Sequence, residues 1–203
     1  MSTVWINRQD LKAVATCMAI NDIRFYLCGV LVEVLPDQVR LVAADGHRML
    51  VAKQDRTPET DMHAHQFIIP DAIVAQINKH KWDVPELAIE YCDTELDYRV
   101  HLQDTKVSFR AIDAKYPDYV RPIPDTADGK IAQFDPEYLI GFQKAARVYS
   151  KKGLYTIGHN GDRAALIALS TAPHVVGVIM PIRSDPPMMA RPDWLNPKLA
   201  ADA

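Results

Sequence analysis

The 203-residue sequence predicts an α+β fold made of three copies of one unit, each a strand, a helix and a three-stranded antiparallel meander. Three observations carry this reading. Short apolar runs, Thr3 to Asn7 (TVWIN), Gln66 to Pro70 (QFIIP) and Lys130 to Phe134 (KIAQF), begin 63 and 64 residues apart. Each run leads into a segment with apolar residues at helical spacing. After each helix come alternating β-branched and aromatic stretches joined by turn residues, the pattern of antiparallel strands. A period near 63 with this strand content does not fit the helical solenoids.

In the first unit, Asn7 stands where a helix cap belongs. The helix Gln9 to Ile20 places Leu11, Val14, Ala15, Met18 and Ala19 on one face. Hairpin arms Arg24 to Leu35 and Gln38 to Ala44 flank Pro36-Asp37, and Met49 to Lys53 closes the meander. In the second unit Asp71 opens a helix over Asp71 to His80 with Ile73, Val74 and Ile77. Its arms Glu86 to Cys92 and Leu96 to Leu102 flank Asp93-Thr94-Glu95, and Val107 to Ile112 closes it. In the third, Asp135 caps a helix with Pro136 at its first position, and Leu139, Phe142, Ala146 and Tyr149 mark the buried face. Arms Leu154 to Gly158 and Arg163 to Leu169 surround Asn160-Gly161, the strongest hairpin signal of the chain, and Val175 to Pro181 ends the unit.

Two linkers are readable. Arg56 to His65 is polar with Pro58, and Tyr116 to Asp128 carries Pro117, Pro122 and Pro124, as a semi-rigid connector does. The tail Ser184 to Ala203 has four prolines and few periodic apolar residues, so an extended or disordered segment is expected. The units therefore group as a complete domain over 1–122 (1–64 and 65–122), a half domain over 123–184 and a flexible tail over 185–203.

Composition narrows the function. With 23 Lys and Arg against 26 Asp and Glu, net charge is −3, so nucleic acid is held only through a local basic patch. No leader-like start and no long apolar span are visible, which predicts a cytoplasmic protein without a membrane partner. Cys17, Cys28 and Cys92 are odd in number with no CxxC pair, so they read as reduced apolar side chains. GxSxG, GxGxxG and GxxxxGK[ST] are absent, and His63 and His65 have no HExxH or carboxylate cluster beside them. Asp45-Gly46-His47 reads as a turn. No catalytic constellation, metal site or cofactor is expected.

Three strings then point to one family. Residues 23–48 (IRFYLCGVLVEVLPDQVRLVAADGHR) resemble the strand, hairpin and Asp-Gly-His-Arg loop in the middle domain of the bacterial sliding clamp, the β subunit of DNA polymerase III. Residues 116–124 (YPDYVRPIP) resemble the linker after that domain, and Val178 to Arg183 (VIMPIR) resembles the clamp's C-terminus. The resemblance implies the DNA-clamp fold, with antiparallel sheets outside and helices lining an oligomeric ring. It also implies a processivity factor that encircles duplex DNA, tethers a polymerase or repair protein bearing a clamp-binding motif, and meets a clamp loader. The family's ring has twelve inner helices, and this chain supplies three, so a homotetramer is expected, its odd half domain completed by another subunit. A clamp-like interaction protein that competes with or regulates a host clamp without encircling DNA is the alternative.

Candidate DNA-contacting residues follow from charge. The third helix region holds Lys144, Arg147, Lys151 and Lys152, the second Lys79, His80 and Lys81, and the first is flanked by Arg8, Lys12 and Arg24. Such residues attract duplex phosphates without regard to sequence, and equally make a solvated face with helix-end cations. The resemblance sets Arg24 and Tyr26 beside the inner surface. By the same resemblance a peptide pocket takes Leu27, Ala44, Gly46, His47, Arg48 and Met49 from the first unit and Pro117 and Arg121 from the linker. Asp135 and Tyr138 come from the third helix, and Val178, Met180, Pro181, Ile182 and Arg183 from the last strand. Ala44, Met49 and Asp135 depart from the family's commoner types. On pattern alone Val178, Met180 and Ile182 form a core strand and Asp135 is a cap. Met188, Met189, Trp194 and Leu195 are apolar residues in the tail, read first as solvent-facing residues of a disordered segment and, as the alternative, as anchors for a pocket of this or a neighbouring chain.

Overall fold

The computed structural model describes residues 2–61, 63–79, 84–92, 96–103 and 105–183. The first unit contains β1 (Ser2–Asn7), α1 (Arg8–Val14), β2 (Gly29–Val34), β3 (Gln38–Ala44) and β4 (Arg48–Asp55). The second contains β5 (His65–Pro70), α2 (Asp71–Lys79), β6 (Glu86–Cys92), β7 (Asp97–Leu102) and β8 (Thr105–Arg110). The third contains α3 (Pro136–Tyr149), β9 (Tyr155–Gly158), β10 (Ala165–Leu169) and β11 (Val175–Ile179).

Local chemistry sets the boundaries. The Asn7 side chain accepts from the backbone N–H of Gln9 and Asp10, satisfying two donors that a helix start leaves open. That helix was expected to reach Ile20 but ends at Val14, followed by a 3-10 turn over Ala15–Cys17 and an extended Met18. The Thr16 hydroxyl bonds back to the Ala13 carbonyl, a competition with the helix ladder typical of hydroxyl side chains. Asp135 caps α3 through the Glu137 N–H.

The leading strands are exchanged. β1 pairs antiparallel with β6 of the second unit, and β5 pairs antiparallel with β2 of the first. One sheet therefore runs β1-β6-β7-β8 and the other β5-β2-β3-β4-β11-β10-β9. Gly29 stands where β2 meets β5, and a Cβ there would come within 2.6 Å of Ile68 and of the Ile69 carbonyl. The third unit joins the first edge to edge through β4 and β11, with Met49 opposite Val178.

Several expected elements differ. Lys130 to Phe134 is not a strand. β1 and β5 each pair with the first meander strand of another unit, whereas among the described residues no strand stands beside 130–134. Residues Phe25–Leu27 form a 3-10 turn, so the hairpin arm begins at Gly29 and not at Arg24. The closing strand of the second unit is Thr105–Arg110, two residues ahead of expectation. Asn160-Gly161 lies inside the loop 159–164, not in a two-residue turn. Asn160 is 2% exposed, and its amide donates to the Ala164 carbonyl and accepts from the Asp128 N–H. The Asp93-Thr94-Glu95 turn, His80, Lys81 and the tail over 185–203 lie outside the described residues.

The main core fills the space between the helices and both sheets, with Leu11, Ile6, Ile69, Ile77, Tyr98 and Phe142 fully enclosed. Each such side chain contributes about 1.5–3 kcal/mol relative to exposure. A second cluster covers the opposite face of the long sheet, where Leu27, Leu31, Met49 and Val178 meet Tyr116 and Tyr119 of the linker. The linker therefore folds back over the sheet, and β2 to β4 are buried on both sides.

Candidate functional site

The turn between β3 and β4 is built on Asp45. Its Oδ1 accepts from the N–H groups of His47 and Arg48 at 2.9 and 3.0 Å, and its Oδ2 from Arg48 Nε at 2.8 Å. Gly46 takes φ +91°, a left-handed value that favours glycine, and a Cβ there would meet the Arg24 guanidinium at 2.3 Å. The His47 carbonyl accepts from Met180 N–H at 2.7 Å, extending the β4–β11 pairing into the loop. On the linker side, Tyr119 donates to Glu33 and accepts from Arg40 at 3.1 Å, fixing the linker to the long sheet.

Between these parts opens a cavity of about 240 Å³. Nine of the residues expected in the pocket line it: Leu27, Ala44, Gly46, His47, Arg48, Met49, Pro117, Val178 and Met180. Tyr116, Asp118, Tyr119 and Pro122 line it as well, so the linker supplies a whole wall. The prolines and tyrosines of the linker were the signal for this wall, because an apolar, stiff segment is suited to pack on a sheet. The floor is apolar, made by Leu27, Met49 and Val178 of the second core cluster. Such a concave site with a few polar groups at the rim fits an apolar peptide anchor.

Other expected pocket residues stand elsewhere. Arg121, Pro181, Ile182 and Arg183 do not line the cavity, since β11 ends at Ile179 and the chain turns away. Asp135 is occupied as the α3 cap. Tyr138 backs the wall from behind: its ring stacks on His47 with centroids 5.3 Å apart, and the Arg48 guanidinium lies 5.1 Å from its centre. Arg48 also donates to the carbonyls of Glu137 and Tyr138 at 3.3 and 3.0 Å. It lines the cavity yet ties α3 to the first unit.

Arg24 and Tyr26, expected among the DNA contacts, line this cavity. Arg24 donates to both Asp22 oxygens and to the Asp45 carbonyl. The guanidinium holds the Asp22 carboxyl down to about 2, chiefly through these hydrogen bonds. Burial pushes the Tyr116 phenol above its ordinary range and that of Tyr119 up to about 12. Both tyrosines therefore stay neutral at physiological pH.

The remaining cations lie with the helices. α1 packs against both α3 and α2. Arg8 and Lys12 of α1 and Val148 of α3 border one shallow hollow. Arg8 reaches the Ile77 carbonyl at the end of α2 at 3.3 Å. Lys12, Lys79, Lys144, Arg147, Lys151 and Lys152 are exposed. Among the described residues none of these six has an ion-pair partner. The buried face of α3 is Gly141, Phe142, Ala145 and Ala146, so Lys144 and Arg147 project from the opposite side. No cluster of His, Cys, Asp or Glu suited to a metal is found among the described residues. None of the described helices is long and apolar enough to cross a membrane.

Residues 7–118, more than half of the chain, match the family model described as the DNA polymerase III beta subunit, central domain. The "Beta sliding clamp" of Vibrio cholerae is 30% identical over 135 residues, covering 66% of this chain and 36% of that protein. The "Beta sliding clamp" of Pseudomonas putida is 28% identical over 121 residues, covering 60% and 32%. The chain thus spans about a third of the length of the curated relatives it matches. Among solved structures, the DNA polymerase sliding clamp from Bacillus subtilis superposes with a TM-score of 0.72 at 17% identity, over 90% of this chain and 64% of that one. A putative DNA polymerase III beta subunit from Eubacterium rectale gives 0.72 at 14% identity, over 91% and 66%. These likenesses extend through the third unit and show the sliding-clamp fold.

Proposed function

The chain belongs to the DNA polymerase III beta subunit family, and from that premise we propose that it is a non-catalytic, clamp-like processivity factor. It would encircle duplex DNA as a homo-oligomer and hold a polymerase or repair protein by a short apolar peptide. The observation that carries the reading is the β4–β11 seam, which brings residues 27–49, 116–122 and 178–180 around one apolar cavity. Lys12, Lys79, Lys144 and Arg147, which have no ion-pair partner among the described residues, support a DNA-facing wall. Net charge of −3 then suits a protein that slides, because topological confinement needs no tight contact. A clamp loader is a further expected partner.

The unit arithmetic favours four chains. Each chain brings one exchanged pair of units over 1–122 and one odd unit over 123–184. A second copy of the odd unit would complete it about a two-fold axis, and two such dimers would close a ring through a second two-fold. The outer edge of β8, unpaired among the described residues, suits that second junction. Retention on circular duplex DNA, with release when the circle is cut, tests encirclement. Equal release from circular and linear DNA would overturn it and leave the non-encircling alternative. Light scattering that finds a dimer or a monomer at all protein concentrations would overturn the tetramer.

A further inference from the structure

We infer that residues 130–135 are a leading strand whose partner is the free edge of β9 in a second copy, exchanged reciprocally and in a register the chain itself specifies. This rests on reading the third unit as a half domain completed in trans.

The two complete units supply the template. Neither leading strand pairs within its own unit, and each pairs with the first meander strand of the other. The residue that precedes each helix stands opposite the start of that strand, Asn7 opposite Glu86 and Pro70 opposite Gly29. Two residues earlier, each leading strand turns its carbonyl away from that partner and is held by its own unit. Trp5 O accepts from Gln54 Nε2 at 2.8 Å, and Ile68 O accepts from the Ile112 N–H at 3.1 Å. In the third unit the helix is preceded by Asp135, and two residues earlier Gln133 O accepts from the Ile182 N–H at 2.8 Å. The segment already occupies the leading-strand position. On its other edge Lys130 O accepts from the Gly161 N–H at 2.9 Å and Ala132 N–H donates to His159 Nδ1 at 3.3 Å, contacts that the exchange would replace. No strand pairs there among the described residues.

Among the described residues the receiving edge also has no strand beside it. β2 and β6 each carry a leading strand, whereas β9, their counterpart, ends the long sheet. Ile131 and Leu154, at the two ends of the proposed junction, are each 56% exposed in the single chain. An open edge flanked by such side chains is an invitation to pair.

Side-chain parity fixes the register. On the exchanged strands Ile6 opposes Leu87 and Ile69 opposes Val30, all in the main core. In the third unit Phe134, Tyr155 and Ile157 pack on that same core. A one-residue slip would turn a strand inside out. Phe134 therefore opposes the other copy's Tyr155, Gln133 its Thr156 and Ala132 its Ile157, which sets Asp135 opposite Leu154. The hairpin already extends that far, since Ser170 N–H donates to Leu154 O at 3.1 Å. Because Gln133 points its carbonyl away, the Gln133–Thr156 pair is of the non-hydrogen-bonded kind, with Cα atoms about 4.5 Å apart. That separation admits a disulfide.

The experiment combines Gln133→Cys with Thr156→Cys in the full chain, followed by mild oxidation, a non-reducing gel and light scattering. Most of the protein should run as a covalent dimer that reductant returns to monomer, while each single variant and the slipped pair Gln133→Cys with Ile157→Cys stay monomeric. As a second test, Ala132→Asp, on the face that this register turns to the core opposite Ile157, should keep the far-ultraviolet circular dichroism and weaken self-association about tenfold or more, since burying a carboxylate is unfavourable. Oligomers by scattering without the dimer band would overturn the strand exchange and leave the oligomeric reading standing. A monomer under all conditions would overturn both. A dimer band without retention on circular DNA would support the exchange while removing encirclement.

Discussion

The first unit is held by two seams of opposite construction. Toward the second unit it exchanges leading strands, so each unit completes the other's sheet and one face of the contact is core: Ile6 opposes Leu87, and Ile69 opposes Val30. Toward the third unit it offers one strand edge and a set of polar pins. Arg48 holds the first turn of α3, and Asp10 Oδ1 accepts from Tyr149 OH at 2.6 Å and pairs with His174 Nε2 at 2.9 Å. Asp10 is 3% exposed. An exchanged seam leaves no gap, because each strand is buried in its neighbour. An edge-to-edge seam pinned by polar groups leaves a hollow at its rim, and the cavity lined by Met49, Val178 and the linker is that hollow.

If the first seam is core, the largest loss comes from hollowing it. Ile6→Ala should cost about 2–5 kcal/mol, the range for truncating an enclosed aliphatic side chain. The first two units should then melt together in one shifted calorimetric transition. Separate melting of the second unit would break the comparison, because exchanged strands leave neither unit a complete sheet alone. Asp10→Ala acts on the second seam. It leaves the half-buried Tyr149 hydroxyl and the His174 ring without their shared acceptor, at a cost of about 1 kcal/mol. Amide exchange should quicken in α3 and β11 and stay unchanged in β5 and β6.

A smaller change sharpens the link between seam and cavity. A Cβ at Gly141 would lie 2.0 Å from Arg48 Nη1, the movable end of a side chain. Gly141→Ala should therefore displace the guanidinium from the Glu137 and Tyr138 carbonyls. Alanine favours the helix by about 0.5–1 kcal/mol over glycine, which offsets the lost hydrogen bonds. Stability should hardly move, while affinity for a fluorescent clamp-binding peptide falls several-fold because Arg48 borders the cavity. Unchanged affinity would show that Arg48 serves the seam alone.

The sequence read best where pattern is local and pairing stays within one unit. The helix starts at Asn7, Asp71 and Asp135 follow from caps, and nearly all of the meander strands follow from alternation. The strand missing at Lys130 to Phe134 shows the limit. Its apolar pattern is that of a leading strand, but a strand forms against a partner, and no strand stands beside it among the described residues. The cavity was legible where motif residues line it, such as His47, Met49 and Val178. It was not legible where its wall depends on how the linker crosses the sheet, as with Tyr116 and Tyr119. Arg24 was legible as a cation, but its partners Asp22 and the Asp45 carbonyl, which hold the guanidinium at the cavity rim, depend on the loop geometry.

The smallest expected effect is a pH dependence confined to the exchanged seam. His65 on β5 lies among Phe67, Tyr91 and Tyr98, and its Nε2 is 2.6 Å from the Tyr98 hydroxyl. Burial holds its imidazole below the ordinary histidine range. The unfolded chain, whose histidine titrates near 6.5, then binds its proton at a higher pH than the folded one. Stability from this group is complete above the unfolded value and declines as pH falls through it toward the folded value. The melting temperature of the wild-type protein should therefore drop between about pH 7 and pH 5 by more than that of His65→Gln, which keeps a hydrogen-bonding side chain and does not titrate. Equal slopes for the two proteins would place the acid sensitivity outside this seam.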